Sequence, residues 1–243
     1  EYLLGREIDN LNFKWMLRTF SKNFTGGAAS VGDWYRRVVA SSFRRALPAM
    51  GWMLLVAVVS VWMSYNWVTT NVSEAITSAS PDTLAKLEKG IENLPDLSSL
   101  GGQLSAPFLF FNNTRSMTVI FLAGIFSFSV LGVLLYMVNI ALIGVVYAVL
   151  ELLGIAPAPI FLAGILPHGI FELPALLIGS AVVLYIGAAL VTPQNGKSMG
   201  EVMIDLMADW AKIFVGVVVP LLAIVALIEA YITPSILLRV VGN

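Results

Sequence analysis

The sequence contains no cysteine and only one histidine, His168. The absence of cysteine excludes disulfides, thiol catalysis and cysteine-ligated metal sites, although it leaves the cellular compartment undefined. Charged residues are also scarce, at 12% of the chain against about 25% in an ordinary soluble domain. Because the net charge is only −1, the chain has no overall field that would attract nucleic acid. A soluble nucleic-acid-binding protein is therefore not expected.

Motifs that carry enzymatic chemistry are missing as well. The sequence has no glycine-rich phosphate-binding loop, no serine-centred nucleophile elbow and no pair of histidines with zinc-protease spacing. No internal repeat is visible either. We therefore predict a protein that is not an enzyme and that holds no cofactor and no metal ion.

Long apolar runs are abundant, and 58% of the residues are hydrophobic. Several runs reach the roughly 20 residues that a helix needs to cross a hydrocarbon core. The uncharged run from Met117 to Leu150 would be about 50 Å long as one helix, against a core of about 30 Å. We therefore predict a break near Asn139 and an all-α, polytopic membrane protein. The five predicted spans are at about 46–68, 117–137, 140–153, 170–191 and 213–230.

The distribution of basic residues predicts the orientation in the membrane. Eight of the 14 lysines and arginines precede the first span, whereas segment 69–116 has three bases and five acids. Basic residues are enriched in cytoplasmic segments. We therefore predict a multi-pass protein of the cell membrane with its N-terminus in the cytoplasm and its C-terminus outside. Residues 1–45 form a basic, amphipathic cytoplasmic segment in this prediction, and residues 46–243 form the helical membrane domain.

The predicted outer loop, 69–116, contains the pattern of a short amphipathic helix. Ser80 is suited to cap it, Pro81 to occupy its first turn and Pro95 to end it. One face is apolar, with Leu84, Leu87, Ile91 and Leu94 at helical spacing. This face needs a covering partner, so we expect a contact with another protein.

A second amphipathic helix is predicted at 198–211, in the cytoplasmic loop before the last span. Ser198 and Glu201 have the spacing of a capping box. One face is acidic (Glu201, Asp205 and Asp209), and another is apolar (Val202, Leu206 and Trp210). The acidic face is a candidate docking surface, although an ordinary helix in the membrane interface explains the pattern equally well.

The segment at 154–170 is predicted to be irregular or re-entrant, because Gly154, Pro157 and Pro159 do not continue a regular helix. It ends in a polar joint, where His168 and Glu172 are four residues apart and share a face if they lie on one helix. Three interpretations remain open: a structural hydrogen-bonding role, a proton or ion path, and an acid–base or metal pair. Further candidate residues of this joint are Glu151, Glu229, Asn112 and Asn113. The two asparagines are expected to cap the helix that returns to the membrane, with a substrate-facing amide as the alternative.

Three segments together resemble one family. They are the stretch Pro167-His168-Gly169 followed by Glu172, Pro174 and Ala175, the triplet Phe111-Asn112-Asn113, and the sequence Glu229-Ala230-Tyr231-Ile232-Thr233-Pro234. Their order across about 108–235 is similar to that of the stage II sporulation protein M family of integral membrane proteins. In endospore formers, the resemblance implies a role beside peptidoglycan-remodelling hydrolases during engulfment. The family extends well beyond spore formers and has no assigned catalytic residues.

The predicted function is a membrane scaffold or recruitment subunit of a cell-envelope complex. Its expected partners are the lipid bilayer, other membrane or envelope proteins, and a second copy of the chain in a homo-oligomer. Nucleic acid is not an expected partner. The alternative is a transporter or channel-like protein that uses the intramembrane joint of His168 and Glu172.

Overall fold

The computed structural model describes residues 13–74, 78, 80, 82, 105–192 and 196–241. Within these ranges the chain is helical and contains no strand. The helices are α1 (Phe13–Thr25), α2 (Val31–Val72), α3 (Ala106–Phe126), α4 (Val130–Leu152), α5 (Pro157–Gly164), α6 (Leu166–Val191) and α7 (Met199–Val240). Five of them, α2, α3, α4, α6 and α7, are long and apolar enough to cross a membrane. The predicted all-α fold with five candidate spans is therefore confirmed.

The described residues fall into two compact units. The first unit takes its residues from Glu1–Leu55, Thr114–Tyr136 and Phe171–Leu222, and the second from Val56–Asn113, Met137–Ile170 and Ala223–Asn243. In the second unit, Ala106 and Leu109 of α3 pack with Ala226 of α7, and α5 packs against the part of α7 that follows Thr233. The predicted helix at Leu84–Leu94 lies outside the described residues.

The helices α2 and α7 are each 42 residues long, or about 63 Å at 1.5 Å per residue. This is about twice the thickness of a hydrocarbon core. The first span was predicted to begin at Ala46, but α2 begins at Val31, where Ser30 accepts a hydrogen bond from the Asp33 amide. The predicted inner helix and last span are likewise one helix, because the chain continues through a π-helical segment at Phe214–Val218. The predicted spans at 46–68 and 213–230 are therefore parts of longer helices, because charged residues at the end of an apolar run do not stop a helix.

The break predicted near Asn139 was also wrong. The chain turns instead at Ser127–Ser129, and Asn139 lies within α4. Phe128 and Ser129 have positive φ angles of 50° and 76°, which are unusual for residues other than glycine. The turn is held because the Ser129 hydroxyl donates to the Val183 carbonyl of α6 at 2.9 Å. Just after the turn, α3 and α4 pack closely at Gly132, where an added Cβ would lie 2.9 Å from the Ile120 carbonyl oxygen.

Three helical segments of the first unit form a layer that we call the platform: α1, residues 31–45 of α2 and residues 199–213 of α7. The helix α1 ends at Gly26 and Gly27, which have positive φ angles of 57° and 66°, and it packs against the start of α7. Trp34 of α2 then donates its indole N–H to the Phe24 carbonyl at 2.8 Å. The charged N-terminal part of the chain is therefore folded against the charged start of α7.

Candidate functional site

The structure places His168 and Glu172 on α6, which begins at Leu166 rather than at the predicted Ile170. Both residues are half-buried and lie four positions apart on the same helix. The His168 Nδ1 atom is 3.2 Å from the hydroxyl oxygen of Thr233, which lies on α7 and is 7% exposed. His168 thus links α6 to the last turns of α7 within the second unit.

Glu151 lies at the end of α4 and accepts a hydrogen bond from the Tyr65 hydroxyl of α2 at 2.7 Å. The Tyr65 ring is 6.1 Å from the ring of Tyr147, which in turn is 5.7 Å from the ring of Phe161 in α5. The helices α4 and α2 also approach each other closely at Gly144, because a Cβ added there would lie only 3.0 Å from the Tyr65 amide nitrogen. Glu151 therefore fastens α4 to α2, and aromatic contacts extend the link to α5.

The remaining predicted joint residues also belong to the second unit. Glu229 is half-buried on α7, one turn before Thr233. Asn112 and Asn113 do not cap α3, because this helix begins at Ala106, six residues before the first asparagine. The side-chain nitrogen of Asn113 is buried and has no hydrogen-bond partner in the described part of the chain.

The second unit thus contains His168, Glu151, Glu229 and both asparagines, whereas Glu172 belongs to the first unit. Among the described residues, no three histidine or acidic side chains are grouped closely enough to hold a metal ion. Two of these residues make side-chain contacts between helices, His168 with Thr233 and Glu151 with Tyr65.

A second polar cluster, in the platform, was not predicted. Asp209 of α7 is 7% exposed, and its Oδ1 atom accepts three hydrogen bonds. The donors are the Ser42 hydroxyl at 2.9 Å, the Arg45 Nη2 atom at 2.7 Å and the Lys212 Nζ atom at 2.9 Å. Two cations therefore share one carboxylate oxygen, and the side chain of Lys212 is only 8% exposed.

The acidic face of 198–211 was a candidate docking surface, with an interfacial helix as the alternative, and its carboxylates contact other groups of the chain itself. Asp205 accepts a hydrogen bond from the Asn23 amide of α1 and one from the Lys197 ammonium at 2.6 Å. That hydrogen bond raises the pKa of Lys197 above the ordinary lysine value of 10.5. Glu201 forms the predicted capping box with Ser198. The acidic face is thus an internal contact that fixes α1 and the start of α2.

The apolar face of the same helix is also covered within the chain. Val202 and Leu206 are buried. The Trp210 ring stacks on Phe121 of α3, with 3.7 Å between ring centroids and 13° between ring planes. On its own helix, Trp210 also stacks on Phe214 at 4.4 Å. The apolar face, which was expected to need a covering partner, is therefore covered by the chain itself.

A cavity of about 590 Å³ lies in the first unit beside the Asp209 cluster. Its charged lining consists of Lys22 from α1, Arg45 from α2, Lys197, and Asp205, Asp209 and Lys212 from α7. The sequence offered one sign of this site. A basic segment before the first span and an acidic helix before the last span carry opposite charges, and both were assigned to the cytoplasmic side.

The fold and these contacts define a polytopic α-helical membrane protein whose first and last spans share an ion-paired extension. A model of the family described as Stage II sporulation protein M matches residues 34–234, which is most of the chain. The chain therefore belongs to the stage II sporulation protein M family. Neither the curated proteins nor the solved structures gave a match. The helix α1, at Phe13–Thr25, lies outside the matched residues.

Proposed function

We propose that this chain is a non-enzymatic membrane scaffold or recruitment subunit of a cell-envelope complex. The observation that carries the proposal is the platform. The helices α2 and α7 are each 42 residues long, and so about half of each exceeds a hydrocarbon core of about 30 Å. The excess is held by the contact of Asp209 with Arg45 rather than left as flexible loop. A rigid extension of the spans is suited to hold a partner in a fixed position at the membrane.

The platform also presents exposed apolar side chains. Val31 and Tyr35 on α2 are 74% and 43% exposed. Protein contact surfaces are enriched in aromatic residues. Other membrane or envelope proteins, or a second copy of the chain, are the partners that we propose for this surface. The predicted outer helix at Leu84–Leu94 would add a second contact on the opposite side of the membrane.

The polar joint supports a structural rather than a chemical role. His168 is half-buried and has a side-chain partner, Thr233, on another helix of the second unit. Buried polar groups in lipid need such partners because no water is available to satisfy them. Hydrogen bonding between helices accounts for these polar residues without a substrate. This structural role supports the non-enzymatic part of the proposal.

Photo-crosslinking tests the proposal. A photoreactive phenylalanine analogue is placed at Tyr35 on the platform or, as a matched control on the same helix, at Val58, which is 61% exposed within the predicted hydrocarbon core. After irradiation in native membranes, mass spectrometry identifies the adducts. We expect protein adducts from position 35 and lipid adducts from position 58. If position 35 gives neither a partner nor a self-adduct, the protein is not a scaffold at this surface.

The second candidate function is transport, which is favoured by the buried Asn113 amide and by the half-buried acids Glu172 and Glu229. Glu172→Gln distinguishes the two. If Glu172 has a structural role, we expect the Gln variant to be abundant and active, because an amide oxygen still accepts hydrogen bonds. Glu172→Leu should then lower stability by about 1–3 kcal/mol through unsatisfied donors. A Gln variant that is stable and abundant but inactive in cells would instead support a proton or ion path.

A further inference from the structure

The cavity of the platform has more positive than negative groups in its lining. The cations are Lys22, Arg45, Lys197 and Lys212, and the carboxylates are Asp205 and Asp209. The carboxylate of Asp209 is shared by Arg45 and Lys212, so this cluster alone has one cation in excess. Partly buried charge without compensation is costly. An anion bound in the cavity would remove this cost.

Arg45 has hydrogen-bond donors left for such an anion. Both of its hydrogen bonds, to Ser42 at 3.1 Å and to Asp209 at 2.7 Å, use the Nη2 atom. Within the described part of the chain, its Nε and Nη1 atoms therefore keep their donors for a ligand. A guanidinium presents its N–H groups in a fork that matches two oxygens of a phosphate. The side chain is 47% exposed, so an anion in the cavity can reach these donors.

Lys197 adds a second cation to the lining of the cavity. It is paired with Asp205 but remains 55% exposed, and like any lysine near its ordinary pKa it is protonated at neutral pH. The cavity volume of about 590 Å³ is within the range of about 300–1,000 Å³ for small-ligand sites. The positive charge of the lining, the free donors of Arg45 and the size of the cavity therefore all suit a ligand with an anionic oxygen group.

We propose that this cavity binds a phosphate group, carried either by the headgroup of an anionic phospholipid or by a free phosphate. The helix α1 favours the lipid source. Its exposed apolar residues Phe13 and Leu17 and its basic residues Lys14, Arg18 and Lys22 give the pattern of a helix that lies among lipid headgroups. The Asn23–Asp205 contact fastens α1 beside the cavity. The site does not depend on the scaffold function proposed above.

Calorimetric titration of the full chain in neutral detergent tests the site. The probes are short-chain phosphatidylglycerol, short-chain phosphatidylcholine and inorganic phosphate. We expect saturable binding of phosphatidylglycerol and none of phosphatidylcholine. Arg45→Gln and Lys197→Gln should each raise the Kd about tenfold, the fold-change expected for one lost charge-assisted hydrogen bond. Arg44→Gln is the matched control: it removes the same charge at the neighbouring position but outside the lining, and should leave the Kd unchanged.

The outcomes separate the sources of the phosphate. Binding of phosphatidylglycerol without inorganic phosphate assigns the site to a lipid headgroup. Binding of inorganic phosphate with the same loss in Arg45→Gln and Lys197→Gln assigns it to a free phosphate. If neither probe binds, or if Arg44→Gln weakens binding as much as the other two variants, the site does not exist. Lys197 is exposed, so its variant keeps the test valid if Arg45→Gln does not fold.

Discussion

Arg45 of α2 donates a hydrogen bond to Asp209 of α7 at 2.7 Å, across 164 positions of sequence. The same carboxylate oxygen accepts hydrogen bonds from Lys212 and Ser42. This one oxygen therefore joins the starts of the first and the last span. Because Asp209 is 7% exposed, water screens the contact less than it would at an open surface. The platform depends on this contact more than on the exposed pair of Lys197 with Asp205.

The first prediction concerns this carboxylate. Asp209→Asn leaves the buried Lys212 and the adjacent Arg45 without a negative charge. We expect the free energy of unfolding to fall by on the order of 3 kcal/mol, since breaking a buried pair leaves an uncompensated charge. The measurement is a titration of the detergent-solubilised protein with sodium dodecyl sulfate, followed by tryptophan fluorescence.

Asp205→Asn is the control for this prediction, because it makes the same chemical change one turn earlier on α7. Its partner Lys197 is 55% exposed, and exposed pairs contribute less than about 1 kcal/mol. We expect a small loss of stability. Equal losses in the two variants would mean that the Asp209 cluster is no more important than a surface ion pair.

Local patterns were predictable from the sequence, and long-range contacts were not. The capping box of Ser198 with Glu201 was predicted because both partners lie within one helical turn. The number of spans followed from the length of the apolar runs. The turn at Ser127–Ser129 was missed because no glycine or proline marks it. Its positive φ angles are held by a hydrogen bond to Val183, 54 positions away.

In the candidate site, too, local features were predictable from the sequence and long-range contacts were not. His168 and Glu172 were identified from their own sequence, but the partner of His168, Thr233, is 65 positions away. The cluster around Asp209 was missed because its members come from two segments with opposite net charge. Each segment alone has the composition of a solvated face. Only the fold of α1 and α2 against α7 converts these faces into an internal contact.

The second prediction concerns the packing of α6 against the turn between α3 and α4. An added Cβ at Gly187 would lie 2.6 Å from the Phe128 carbonyl oxygen and would also meet the Ser129 hydroxyl. Backbone atoms cannot move away as the end of a side chain can. We expect Gly187→Ala to lower the free energy of unfolding by about 1–3 kcal/mol, the usual cost of overpacking. The same detergent titration measures it.

Gly51→Ala is the matched control for Gly187. Gly51 lies within α2, and an added Cβ there meets nothing within 4 Å. Alanine is favoured over glycine in a helix by about 0.5–1 kcal/mol, so this variant should be as stable as the parent chain or more stable. A Gly187→Ala variant that behaves like Gly51→Ala would contradict the close approach of α6 to the turn.

The third prediction concerns the link between His168 and Thr233. Thr233→Val keeps the shape of the side chain but removes the hydroxyl that lies 3.2 Å from the His168 Nδ1 atom. We expect a loss of about 1 kcal/mol, the usual net contribution of one hydrogen bond. Combined with His168→Leu, the double variant should lose less than the sum of the single variants, because residues in contact are energetically coupled.

Thr192→Val serves as the control for this cycle. Thr192 directly follows α6, and its hydroxyl donates to the Ala188 carbonyl of that helix at 2.7 Å. Such local bonds add little to helix stability. We expect almost no change in the free energy of unfolding. Additive effects of His168→Leu and Thr233→Val would show that the two side chains do not support each other.

The last prediction concerns the orientation of the chain in the membrane. Eight of the 14 basic residues precede position 46, so we expect the N-terminus and the platform on the cytoplasmic side. Since the chain has no cysteine, a single introduced cysteine is a unique label. In right-side-out vesicles, Gly90→Cys should react with a membrane-impermeant maleimide. Lys197→Cys should react only after the membrane is permeabilised, and because the Lys197 side chain is 55% exposed, burial would not explain its protection. Labelling of both positions from the same side would reject this orientation, and with it the cytoplasmic location of the anion-binding cavity.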